Sequence, residues 1–212
     1  MDLLNQISES IINADIEGTK ELVEQALKQS IPAKEILNNG LISGMDIIGK
    51  RFAEREIFLP DVLLSAKAMK SSIEILKPHL AGENIKPVGK IVIGTVQGDL
   101  HDIGKNLVGI MLNGAGFEVI DLGHDVPPEK FVEIALKENA DIIGLSALLT
   151  TTMPAMKKVI DLLKEKKLNH IKVIIGGAPV NDTYAKEIGA NAYSFDAANA
   201  VETARKLTIK KK

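Results

Sequence analysis

A chain of 212 residues, 45% hydrophobic, 25% charged and only 3% aromatic with no tryptophan, has the composition of a globular protein with aliphatic cores, long enough for one large domain or two small ones. Its formal net charge of −2 gives no electrostatic case for nucleic acid or an anionic membrane as partner, and the absence of cysteine excludes disulfides, thiolate metal sites, cysteine-ligated iron–sulfur clusters and a cysteine nucleophile. The N-terminus lacks a signal-peptide pattern, and no apolar run approaches the roughly 20 residues of a membrane helix, so a cytoplasmic location is expected.

From Asp2 to about Leu80 the pattern is helical. Leu22, Val23, Ala26 and Leu27 share a face, followed by Ile36, Leu37 and Leu41 and then by Ile47, Ile48 and Phe52. Breaks fall at Asp15–Gly18, Ser30–Pro32 and Phe58–Pro60, where Pro60 suits the first turn of a new helix, which then runs until Pro78. Four or five short helices with short connections predict an antiparallel bundle over residues 1–84. Ala81 to Pro87 reads as a linker.

Beyond it the texture alternates, giving an expected α/β domain over 88–212. Strands are expected at Ile91–Val96, Glu118–Leu122, Ile142–Ser146, Val173–Ile175 and Ala192–Phe195. Helices are expected at Ile103–Ala115, Pro128–Glu138, Met153–Lys166, Val180–Ile188 and Ala197–Leu207, with a frayed basic tail, Lys210–Lys212. Five near-continuous apolar strands alternating with helices mean a parallel sheet covered on both faces. The expected fold is therefore a helical bundle cap followed by a flavodoxin-like, Rossmann-type five-stranded parallel sheet.

Ligands of such sheets bind at the carboxyl ends of the strands. There the first strand delivers Gly98-Asp99-Leu100-His101-Asp102-Ile103-Gly104, an imidazole between carboxylates, and histidine is the commonest protein metal ligand. The later strands add Gly123-His124-Asp125, Ser146 to Thr150, Gly176-Gly177-Ala178 and Phe195-Asp196-Ala197. Two phosphate motifs are excluded. Five residues separate Gly98 from Gly104 where a P-loop has four, Lys105 is followed by Asn106 instead of Ser or Thr, and no Gly-x-Gly-x-x-Gly opens the first βα turn. Asp102 can be the N-cap of the helix beginning at Ile103, and His124 reads as pocket rim or surface.

Asp99-x-His101-x-x-Gly104, then Ser146-x-Leu148, then Gly176-Gly177, resembles the signature of cobalamin-binding domains. Gly44-Met45, Arg51-Phe52 and Phe58-Leu59-Pro60 are similar to the helical cap that precedes this domain in methionine synthase and in methyltransferase corrinoid proteins. The resemblance implies cobalamin, as methylcobalamin or a related corrinoid, with cobalt ligated from below by His101. It implies a relay in which Asp99 hydrogen-bonds His101 and Ser146 extends the chain. It further implies that Gly98, Asp99, Leu100, His101, Asp102, Ile103, Gly104, Ser146, Leu148, Thr150, Gly176, Gly177, Ala178 and Ala197 line the cofactor pocket, with Phe52 and Leu59 covering the upper face. Asn38 stands where methionine synthase carries a glutamate near the cap, so that contact is not carried over.

The implied activity is that of a corrinoid methyl carrier, not catalytic alone, that accepts a methyl group on Co(I) and passes it on from methyl-Co(III). Its implied partners are a substrate-specific methyltransferase and a second methyltransferase with a folate or thiol acceptor, and a reductive activase can be a further one. A cobalamin-dependent regulator or sensor is the alternative, although residues 1–84 carry 13 acidic against nine basic side chains, which disfavours phosphate contact. A mutase small subunit and a phosphoacceptor response regulator share the fold. The cap argues against the former, and the company of His101 against the latter.

Overall fold

The computed structural model describes residues 2–80 and 87–209. The expected linker lies, from Ala81 to Lys86, outside the described residues, as does the tail Lys210–Lys212. The chain divides into two compact units, Met1–Lys86 with Gly114–Gly116, and Pro87–Asn113 with Phe117–Lys212. Among the described residues no helix is long and apolar enough to cross a membrane.

The first unit is all helical: α1 (Leu3–Ile12), α2 (Ile16–Lys28), α3 (Ala33–Glu35), a π-helical segment (Ile36–Ile42), α4 (Ser43–Ala53) and α5 (Leu59–Leu80). Asp15 caps α2, its carboxylate accepting from the Gly18 N–H at 3.0 Å. Before α5, the Asp61 carboxylate accepts from the Phe58 N–H at 2.8 Å. The sequence suggested that α5 ends at Pro78, yet it runs on to Leu80. Proline in a last turn forfeits only one intrahelical bond, and the helix absorbs it.

Val23, Ala26, Ile36, Leu41 and Ile48 are buried as expected, but Ile47 is exposed. The widened π turn, unannounced by the apolar spacing, changes the phase of the helix that follows. It leaves Gly44, Met45, Ile48 and Gly49 as the buried face of α4. A Cβ on Gly44 would lie 2.7 Å from Ile11 Cβ and 2.8 Å from Ser8 O, so α1 and α4 cross at backbone contact. Within α5 the hydroxyls of Ser65 and Ser72 are buried without a hydrogen-bond partner. An unpaired buried hydroxyl costs about 1–3 kcal/mol, so Ser65→Ala and Ser72→Ala are expected to be neutral or to stabilise by about 1 kcal/mol. Urea denaturation measures this, and a loss of that size would reveal a role for the hydroxyls.

The second unit is β1 (Lys90–Thr95), α6 (Ile103–Gly114), β2 (Glu118–Asp121), α7 (Pro128–Lys137), β3 (Ile142–Ser146), α8 (Pro154–Glu165), β4 (Lys172–Gly176), α9 (Asp182–Ile188), β5 (Ala192–Ser194) and α10 (Ala197–Ile209). All strands pair in parallel in the order β2-β1-β3-β4-β5, the flavodoxin-like order with its switch point between β1 and β3. Helix α9 begins two residues later than expected. Asn181 is its N-cap, its side chain accepting from the Tyr184 N–H, and Gly189 closes it in the left-handed conformation.

Val92, Val96, Ile143, Leu145, Val173 and Ile175 pack on one face against Phe131, Val132, Met156, Val159 and Ile188 from α7, α8 and α9. On the opposite face α6 approaches so closely that a Cβ on Gly109 would lie 2.9 Å from Ile93 Cδ1. The buried Ala200, Val201 and Ala204 of α10 lie outside the α7–α9 cluster, and α10 touches β4 and β5. Burial on both faces explains why the central strands β1, β3 and β4 read as continuous apolar runs.

Candidate cofactor site

At the switch point the loops after β1 and β3 meet on one buried carboxylate. Asp99 is wholly buried, and both oxygens are engaged. Oδ2 accepts from the Leu148 N–H at 2.8 Å, the Leu149 N–H at 3.2 Å and the Thr152 hydroxyl at 2.7 Å. Oδ1 accepts from the His101 N–H at 3.1 Å and lies 2.8 Å from His101 Nδ1. Burial pushes the Asp99 pKa up. The opposing bonds from Leu148, Thr152 and His101 win, and they hold the carboxyl well below its ordinary value of 3.8.

This has a pH consequence. A carboxylate with a depressed folded pKa stabilises the fold fully above the unfolded value, and the contribution is lost as pH falls below about 3.8 toward the folded value. The Asp99 contribution is therefore expected to be flat from neutral pH to about 5 and to fade below about 4. Comparing acid unfolding of the wild type with Asp99→Asn measures it. Curves that diverge instead near neutrality would contradict this ionisation.

An ionised Asp99 fixes the imidazole as the tautomer that donates from Nδ1, leaving the Nε2 lone pair outward. The His101 side chain is 53% exposed, and Nε2 makes no hydrogen bond among the described residues. The backbone of the loop is tied down too. Thr95 Oγ1 donates to His101 O at 2.8 Å, the Gly98 N–H donates to Asp125 Oδ1 at 2.7 Å, and the Asp125 N–H donates to Asp99 O at 3.0 Å. Asp102 stands at the N-cap position of α6, where its carbonyl accepts from the Asn106 N–H at 2.8 Å and its carboxylate from Asn106 Nδ2 at 3.1 Å. Lys105, which the sequence offered only as a failed P-loop lysine, is buried and reaches Asp121 Oδ2 at 2.5 Å and Asn106 Oδ1 at 2.6 Å.

One expectation is corrected. The hydroxyl on Asp99 is that of Thr152, six residues past Ser146, while the Ser146 side chain makes no hydrogen bond among the described residues. Ser146 ends β3 in register with Thr95 and Gly176, and its strand position does not lead it to Asp99. Thr152 does reach it because the turn over 147–153 folds back, with the Thr152 N–H donating to Leu149 O at 3.1 Å. The Leu148 and Leu149 N–H donors were equally unreadable, since backbone groups carry no residue signature.

The structure brings Gly98 to Gly104, Ser146, Leu148, Thr150, Gly176, Gly177, Ala178 and Ala197 to the carboxyl edge of the sheet. His124 follows β2 as an exposed residue. Phe52 and Leu59 belong to the helical unit, at the end of α4 and the start of α5, both half-buried. The edge suits a large, mostly apolar ring system with a polar tail. Leu100, Ile103 and Phe195 are 66%, 76% and 69% exposed, with Leu148 and Leu149 also open to solvent. A Cβ on Gly104 would meet nothing within 4 Å, and the hydroxyl of Ser194 is buried there without a partner. With the free Nε2 of His101, these features fit a corrinoid.

The comparisons agree. Residues 89–205 match a family model described as a B12 binding domain, and residues 3–77 match a second of the same description. The chain is 44% identical over 211 residues to a corrinoid protein of Desulfitobacterium hafniense, covering 98% of each. It is 44% identical over 212 residues to dimethylamine corrinoid protein 1 of Methanosarcina mazei, covering 99% of this chain and 98% of that one. Among solved structures it is similar to a chain of the methanol:cobalamin methyltransferase complex MtaBC from Methanosarcina barkeri. The TM-score is 0.90 at 32% identity, covering 99% of this chain and 81% of the other. A cobalamin-binding protein from Desulfitobacterium hafniense matches with a TM-score of 0.80 at 35% identity, covering 96% of this chain and 98% of that one. A sheet edge organised around one free imidazole nitrogen, together with relatives that match from end to end, places the chain in the B12-binding family of corrinoid proteins.

Proposed function

We propose that this chain is the corrinoid methyl carrier of a multi-component methyltransferase system. One observation carries this reading: the whole chain aligns with a dimethylamine corrinoid protein at 44% identity, and almost nothing of that protein is left uncovered. When bound, the corrinoid supplies a cobalt centre able to take up and release a methyl group. His101 would hold the cobalt through Nε2, and Asp99 keeps that ring oriented and its Nδ1 proton in place. The Leu148 and Leu149 N–H groups and the Thr152 hydroxyl keep Asp99 ionised, and so able to accept from His101 Nδ1. The exposed apolar side chains of Leu100, Ile103, Leu148 and Leu149 would help to exclude water from a bound corrinoid.

The partners follow from this reading: a methyltransferase that loads the carrier from a methylated amine or alcohol, and a second that unloads it to a thiol or folate, in a cytoplasmic setting. The test loads the purified chain with cobalamin and records the electron paramagnetic resonance of the Co(II) form. Nitrogen splitting from a histidine is expected in the wild type, and His101→Ala is expected to abolish it. Methyl transfer is then assayed with purified methylamine and methanol methyltransferases. A chain that binds no corrinoid, or that binds it without histidine coordination, would sink the proposal.

A further inference from the structure

Two serine hydroxyls at the carboxyl edge, those of Ser146 and Ser194, take no part in the Asp99 network. Register sets Thr95 beside Ser146, Ser146 beside Gly176 and Gly176 beside Ser194. Neighbours in register point to the same side of a parallel sheet, so these positions form one row across β1, β3, β4 and β5. It lies on the face of Ile93, against which α6 packs. Thr95 is spent on His101 O. Ser146 is half-buried and unbonded, while Ser194 is 6% exposed and its Oγ has no partner. Between them Gly176 contributes no side chain. Ser65 and Ser72 are also unpaired, but they lie in the middle of a helix, whereas Ser194 stands at the edge where sheets of this kind bind ligands.

Adjacent strands lie about 4.8 Å apart, so two spacings separate the β3 and β5 hydroxyls by about 10 Å. That span suits a bicyclic heteroaromatic ring hydrogen-bonded at both ends. We propose that Ser194 Oγ is the contact for the outer edge of the corrinoid's lower base, and that it makes this chain favour a base whose six-membered ring is polar, of purine type, over a dimethylated benzimidazole. This rests on the chain holding a corrinoid. A hydroxyl both donates and accepts, and so it pairs with the ring nitrogens and amino group of a purine edge. Methyl groups at that edge offer Oγ nothing, and it then stays buried and unpaired in the complex. Ser146, at the other end of the row, does not distinguish the two bases.

The test titrates the full-length apo chain, wild type and Ser194→Ala, with three corrinoids: cobinamide, which lacks the nucleotide tail, cobalamin, and the cobamide with adenine as lower base. The wild type is expected to bind the adenine form about tenfold more tightly than cobalamin, the equivalent of about 1.4 kcal/mol. Ser194→Ala is expected to abolish that preference while leaving cobinamide binding unchanged. A wild type without preference would overturn the proposal. So would a variant that weakens all three ligands alike, which marks a structural role, or one that weakens both tailed forms alike, which marks a contact with ribose or phosphate. Failure of the wild type to bind any of the three would overturn the corrinoid reading itself, and this proposal with it.

Discussion

Asp99→Ala is expected to destabilise the apo protein by about 3–5 kcal/mol, in the range for breaking a buried charged network from one side. Removing the carboxylate strands the N–H groups of His101, Leu148 and Leu149, each of which loses its acceptor. Thr152 suffers least, because its hydroxyl already lies 2.9 Å from Leu149 O and can turn to it. The same substitution frees the His101 ring. Loss of such an orienting partner typically weakens metal binding 10–100-fold, and corrinoid titration is expected to show a drop of that order. Urea denaturation of the apo protein and titration of the folded variant separate the two effects. A variant within about 1 kcal/mol of the wild type would show that the carboxylate does not hold the two loops together.

Gly177→Ala is expected to be about as costly, about 3–5 kcal/mol, by a different route. Gly177 has φ +122°, and a Cβ there would lie 1.8 Å from Ala147 O and 2.9 Å from Ala147 C. Neither atom is the end of a flexible side chain, so relief requires the backbone after β3 to move. That backbone leads directly into the Leu148 and Leu149 N–H groups that grip Asp99. The variant should therefore lose corrinoid affinity as well as stability, although residue 177 itself donates nothing to Asp99. Thermal unfolding with and without corrinoid measures both, and a stable variant with intact binding would contradict the close approach.

Much of this was legible beforehand because the sheet is doubly covered. The central strands β1, β3 and β4 are apolar runs, and the five strands end in Thr, Asp, Ser or Gly where the chain turns. Asp99 and His101 could be paired on paper because two residues in one loop leave little room for another arrangement. Thr152 could not, since nothing in a run of three threonines tells which hydroxyl a turn will bring back to the carboxylate. Ser146 was favoured for its motif, but its position in the sheet row decides its direction. The π segment leaves no mark in the sequence, because apolar spacing records which residues face inward and not how many residues each turn contains. Lys105 shows the reverse case: a lysine dismissed for lacking phosphate-loop spacing is buried against Asp121, which no local pattern announces.

The grip on Asp99 also constrains the order of events during synthesis. Its donors Leu148, Leu149 and Thr152 follow it by 49, 50 and 53 residues, and closing a loop of that length is entropically unfavourable until β3 has paired beside β1. A nascent chain that ends before residue 152 already contains the whole histidine loop, yet the imidazole in it has no settled direction. The setting of the His101 ring through Asp99 is thus complete only when the centre of the sheet is in place.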